Sequence, residues 1–196
     1  MSQKPGYRIS TILFSDGERL PVLLGAAGAP EWMPTLYATS QLRNASLAPS
    51  TTKAALDAIR LLLIWAASRN VHVAHRFARR EFLTGSEVEG LAQQLKGRAD
   101  LVSDAGKPVP ISRHQNRVPA APGAAKKQVD AQTSHNRITA VTAYLDWAAK
   151  YLIEREAKGI DQIAAANIEL MGERLRSKRG RKRKSELSAR MGLDGP

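Results

Sequence analysis

Apolar side chains recur along this chain at two different periods. Between Tyr7 and Leu24 they gather, with β-branched and aromatic residues, into two short runs, Tyr7–Phe14 and Arg19–Leu24. Ser15-Asp16-Gly17-Glu18 lies between them. An Asp-Gly pair tolerates the positive φ of a tight turn, so the stretch predicts a β-hairpin. Pro21 cannot donate to a central ladder, which places the second strand on an edge. Gly25 to Pro30 reads as a loop. Trp32 to Thr39, with its Trp, Tyr and Thr, reads as a third short strand.

After Leu47-Ala48-Pro49 the period becomes helical. Leu56, Ile59, Leu63 and Ala66 follow helical spacing, and Ala55, Leu62 and Trp65 broaden the stripe. This predicts a central helix over about Thr51–Asn70, apolar around most of its circumference, with Ser50 or Thr51 as its cap. A short helix is expected at Val73–Arg79. Thr84-Gly85-Ser86-Glu87 matches a capping box and opens a helix to about Lys96. Residues 97–132 have neither period, contain four prolines and three glycines, and read as a long functional loop or a boundary. Helical spacing returns from Ser134, with Ile138, Val141, Leu145, Ala148, Ala149 and Leu152 as its stripe. It should stop near Lys158-Gly159. A last helix is expected over about Asp161–Ser177, burying Ile163, Leu170, Met171 and Leu175. The fold class is therefore mainly α with a small N-terminal β-hairpin or three-stranded β element. Three regions are expected: 1–46, 47–178 with the long loop inside it, and 179–196. The ending Gly192-Leu193-Asp194-Gly195-Pro196 reads as a cut within a linker.

Composition narrows the chemistry. There is no cysteine among the 196 residues, which excludes a disulfide scaffold, a cysteine zinc finger and a thiol nucleophile. The longest apolar run, Leu61–Ala67, has seven residues, whereas a membrane span needs about 20. No apolar stretch follows Lys4 as a signal peptide would require, so a cytoplasmic location is expected. Thirty Lys and Arg stand against 18 Asp and Glu, for a net charge of +12. Residues 173–196 alone carry nine basic and three acidic groups, and 97–132 carry six and three. So concentrated an excess calls for a polyanionic partner.

Two stretches resemble the core-binding domain of tyrosine recombinases (phage-type integrases). Leu47-Ala48-Pro49-Ser50-Thr51-Thr52, followed by Ala58-Ile59-Arg60-Leu61-Leu62-Leu63-Ile64-Trp65-Ala66-Ala67-Ser68-Arg69-Asn70, is similar to that domain's first helix. Thr142-Ala143-Tyr144-Leu145-Asp146-Trp147-Ala148-Ala149 is similar to a second signature of it. The order of a small β element, a helical domain and a basic connector also resembles the front half of the family, over about Tyr7–Pro196. The resemblance implies a helical, SAM-like core-binding bundle that clamps a recombination core site on double-stranded DNA. It implies other recombinase protomers as partners in the full-length protein. The family's catalytic arginines, lysine, histidines and nucleophilic tyrosine lie downstream of such a connector, and Tyr7, Tyr37, Tyr144 and Tyr151 fill no such role. No catalytic residue is carried over: whether the protein is an enzyme stays open, and the resemblance implies that such a fragment alone would not be one while its full-length parent would break and rejoin DNA.

The DNA-contact candidates follow from charge and helix ends. In Arg174–Lys184, eight of eleven residues are basic: Arg174, Arg176, Lys178, Arg179, Arg181, Lys182, Arg183 and Lys184. Such a segment can lie along phosphates and release counterions. Thr51, Thr52 and Lys53 stand at one helix start, with Arg60 further along it. Asn136 and Arg137 stand near another helix start, where Ser134 reads as a cap. Helix N-termini favour phosphate. Arg113, Arg117, Lys126 and Lys127 lie in the long loop.

Other signals carry less. His72 and His75 have a helical ligand spacing, but with no cysteine and only Glu81 nearby they make no zinc site, so no metal and no cofactor is expected. Gly25-Ala26-Ala27-Gly28 lacks the lysine and the context of a phosphate loop. Trp65 and Trp147 sit on helical stripes and read as core. Two other classes stay open: a stand-alone, non-enzymatic DNA-binding accessory protein, and a basic peripheral membrane protein. No lipidation motif or amphipathic anchor adjoins the tail to support the latter, and no membrane partner is expected.

Overall fold

The computed structural model describes residues 6–97, 129–156 and 159–179. Strands β1 (Arg8–Leu13) and β2 (Arg19–Leu24) pair antiparallel, with Arg8 opposite Leu24 and Leu13 opposite Arg19. Gly17, at φ 86°, and a 2.9 Å hydrogen bond from the Glu18 amide to Asp16 Oδ1 shape the turn. Pro21, Val22 and Leu23 are all buried, and β2 packs against two of the helices. Its outer edge is closed by the Glu31 amide, which donates to the Leu23 carbonyl at 2.8 Å.

The expected third strand is a helix, α1 (Trp32–Tyr37), continued by a π-helical turn over Ala38–Arg43. Met33 and Tyr37 are buried four residues apart, then Ala38 and Leu42. That is a helical spacing, and it overrides the strand preference of Trp, Tyr and Thr. Pro34 falls in the first turn, where its missing N–H costs nothing. Thr39 Oγ1 and Ser40 Oγ donate to carbonyls of Thr35 and Leu36, supporting the widened turn.

Helix α2 (Pro49–Ser68) is the central element. It packs against both strands, the π turn and the later helices Gly85–Lys96 and Ala131–Arg155, and buries Leu56, Ile59, Leu61, Leu62 and Trp65. Its N-cap is Ala48, with Pro49 in the first turn, rather than Ser50 or Thr51. Pro's fixed φ suits the first helical position, which sets the start two residues early. At the other end Asn70 takes φ 54°, and the Val71 amide closes a 2.8 Å bond to the Ala66 carbonyl. Asn accepts this left-handed cap better than most residues.

Helix α3 (Val73–Ala78) buries Phe77 and ends the same way, with Arg80 at φ 63°. Helix α4 (Gly85–Lys96) starts on the predicted capping box. The Glu87 amide donates to Thr84 Oγ1, and the Thr84 amide donates to Glu87 Oε2 at 2.7 Å.

Helix α5 (Ala131–Arg155) begins three residues before the expected Ser134. Asp130 is the cap: its Oδ1 accepts from the Gln132 and Thr133 amides at 3.0 Å each. A carboxylate makes charge-assisted bonds to backbone N–H groups, and Ser134 is instead buried inside the helix. Gly159 follows α5 at φ 60°.

Helix α6 (Gln162–Ser177), capped by Asp161, corrects another expectation. It buries Ala164, Ile168, Met171 and Leu175, while Ile163 is 75% exposed and Leu170 42%. Met171 and Leu175 are buried as expected, while Ala164 and Ile168 take the inward places expected of Ile163 and Leu170.

One apolar core runs from Leu23 through Met33, α2, α4 and α5 to Leu175, so the hairpin and α1 share it with the later helices. The Val129 amide donates to the Lys96 carbonyl at 3.0 Å, so the chain comes back to where it left. Among the described residues, no helix is long and apolar enough to cross a membrane.

Candidate nucleic-acid interface

The sequence singled out basic and helix-end residues, and the fold separates them into contacts already made and charges left outward. Thr51 and Lys53 are exposed at the start of α2, but Thr52 is only 3% exposed. A helix that buries Leu56 and Ile59 also turns position 52 inward, so Thr52 cannot touch DNA. Lys53 lines a cleft with a residue the sequence did not mark. Arg19, from β2, lines the same shallow cleft together with Ser50 and Thr11. Nothing local in the sequence pairs a strand arginine with that helix start.

Arg60 is committed within its own helix. Its Nε and Nη2 both donate to Asp57 Oδ1, at 3.0 and 2.9 Å. Arg137 is a structural clamp: Nη1 donates to the carbonyls of Leu95 at 3.2 Å and Gly97 at 2.8 Å. Those carbonyls close α4, where the last turn lacks intrahelical partners. Asn136 is exposed beside it and accepts from Gln132 Nε2 at 2.7 Å.

The basic end of α6 divides in the same way. Lys178 pairs with Glu89 on α4, and that contact, reinforced by Gln93, holds the Glu89 carboxyl below the usual range. The pair ties the end of α6 back to the bundle. Arg174 and Arg176 are exposed. Arg176 lies back over Gly172, where an added Cβ would come within 3.1 Å of its Nη1. Arg174 shares a cavity of about 250 Å³ with Asn167 and Arg80. Arg80, also unmarked by the sequence, pairs with Asp161 and donates from Nη2 to the Gly159 carbonyl at 3.0 Å. The outer stripe of α6 thus reads Ile163, Asn167, Leu170, Arg174. Arg179 is half-buried, and its amide donates to the Arg176 carbonyl. Arg113, Arg117, Lys126 and Lys127, and Arg181, Lys182, Arg183 and Lys184, lie outside the described residues.

Trp65 is buried in the core as expected. Trp147 is half-buried and stacks on Tyr151 at 5.3 Å, in a row with Tyr37, Tyr144 and the exposed Trp32. Among the described residues, no three His, Asp or Glu side chains gather to hold a metal ion. Comparison of the chain with protein-family models, with curated proteins and with solved structures gives no match in any of the three.

Proposed function

We propose that this chain is a duplex-DNA-binding module of the tyrosine-recombinase core-binding type, which would hold a recombination site for a catalytic domain downstream. The observation that carries the reading is the charge at the end of α6. Eight of the eleven residues from Arg174 to Lys184 are basic. Arg174 and Arg176, the first two, stand exposed on a helix whose end is anchored by the Lys178–Glu89 pair. Like charges at this density repel one another unless a polyanion answers them. A phosphate backbone does so and releases counterions.

Support for the recombinase part of the reading is narrower. It rests on the two helical signatures, now seen as α2 and the middle of α5. These pack against each other in the bundle. Phosphate contacts would fix the module's position, and base contacts from an outward helix face would give it sequence preference. The test is selection of bound duplexes from a random pool, followed by competition against scrambled duplex. A core-site binder prefers the selected site by about a thousandfold or more. Equal affinity for both duplexes would contradict the recombinase reading and leave a non-specific DNA-binding protein.

A further inference from the structure

A second cavity lies between the start of the hairpin, α1, the end of α2 and α5. Its volume is about 900 Å³, within the range of cavities that hold small organic ligands. Leu62, Leu63, Val71, Leu152, Trp32 and Tyr144 give it a mainly apolar lining, and Asn70, His72 and His75 add polar groups.

Glu31 is one of the residues lining this cavity. It occupies the N-cap position of α1, yet its side chain makes no capping hydrogen bond. Among the described residues, no Lys, Arg or His forms an ion pair with it. Gly25 makes the room the carboxylate occupies: a Cβ there would lie 2.3 Å from Glu31 Oε1. The charge is felt along the lining. Burial first, and Glu31 second, push the hydroxyls of Tyr7 and Tyr144 above the usual phenol range. A half-buried carboxylate with no ion pair among the described residues, beside an apolar wall, offers a cation a charge-assisted contact. The adjoining aromatic wall is also suited to cations. The Arg155 guanidinium already stands 5.7 Å from the Trp32 ring centroid, a distance at which a ring attracts positive charge.

We propose that this cavity binds an organic cation with an apolar body, an ammonium carried on an aromatic or aliphatic group. The charge would sit at Glu31 and the body between α2 and α5. The site is independent of the DNA-binding reading and uses none of its residues.

The experiment is calorimetric titration of the full chain at pH 8 with 2-naphthylmethylammonium and with its neutral counterpart, 2-naphthalenemethanol. The cation should bind about tenfold more tightly or better, the usual worth of one charge-assisted contact. Glu31→Gln should abolish that preference and leave the alcohol's affinity unchanged. Gly25→Ala, which displaces the carboxylate without removing it, should weaken the cation alone. Ala67→Phe places bulk in the cavity from an exposed position. It should block both ligands while the chain keeps its helical circular dichroism. Absence of cation binding, equal affinity for the two ligands, or a preference that survives Glu31→Gln would each overturn the proposal.

Discussion

Arg137, on α5, donates a 2.8 Å hydrogen bond to the carbonyl of Gly97, forty residues earlier at the end of α4. With the bond to Leu95, this fastens the end of α4 to α5. Arg137→Ala should therefore act on stability. It leaves part-buried carbonyls without their donor, at a cost of about 1–3 kcal/mol. Arg137→Lys should restore only part of this, because one ammonium does not reproduce the guanidinium fork. Urea unfolding measures both variants. A loss of DNA affinity with unchanged stability would return Arg137 to the interface.

Arg80 holds a left-handed backbone, φ 63°, at the end of α3, while its guanidinium reaches Asp161 and the Gly159 carbonyl. Two effects oppose each other there, and two substitutions separate them. Arg80→Ala removes the tether and keeps the backbone strain. Arg80→Gly removes both. The alanine variant should be the less stable of the two by about 1 kcal/mol. Denaturant midpoints compare them directly.

The capping box of α4 predicts a pH dependence. Burial alone would raise the Glu87 carboxyl, but hydrogen bonds from Arg76 and Thr84, with the nearby Arg76 charge, outweigh it and hold the group below its ordinary value. A carboxyl lowered in the folded state contributes stability that is present above its unfolded pKa. That contribution is lost as pH falls through the folded one. Thermal stability should fall below about pH 4.5, and Glu87→Gln should show a shallower fall over that window. Thr84→Ala should cost about 1 kcal/mol at neutral pH, the usual worth of an N-cap.

Much of this fold could be read from local chemistry. The Asp16-Gly17 turn, the Thr84–Glu87 box and the stripe from Ile138 to Ala149 each act within a few residues, and each appears where its sequence places it. The misreadings share a cause. Trp32–Thr39 has strand-forming residues in a helix whose spacing is set by packing Met33 and Tyr37 against the core. On α6, large apolar residues drew attention to Ile163 and Leu170, whereas the buried face runs through Ala164, Ile168, Met171 and Leu175. The candidate interface was legible as charge and not as geometry. Sequence marks a cation but not its partner, so Arg60, Arg137 and Lys178 looked alike until Asp57, the α4 carbonyls and Glu89 came beside them. Arg19 and Lys53 come to line one cleft through the tertiary fold alone.

Arg174 and Arg176 are the exposed cations on the last turns of α6. Replacing both with Ala should change stability by less than about 1 kcal/mol, the usual scale of a charge at a helix end. The same double variant should flatten the salt dependence of DNA binding by roughly two units of log–log slope. The Arg60→Ala change should leave that slope as it is, since Arg60 is held by Asp57.

The most direct test of the DNA-binding account is fluorescence anisotropy of a labelled duplex, titrated with the full chain across a series of salt concentrations. The account predicts tight binding at low salt and a log–log slope of about −4 or steeper. It also predicts that neutralising Arg174, Arg176, Arg181, Lys182, Arg183 and Lys184 removes most of that slope while the helical circular dichroism is retained. No binding at low salt, or an affinity indifferent to salt, would contradict it.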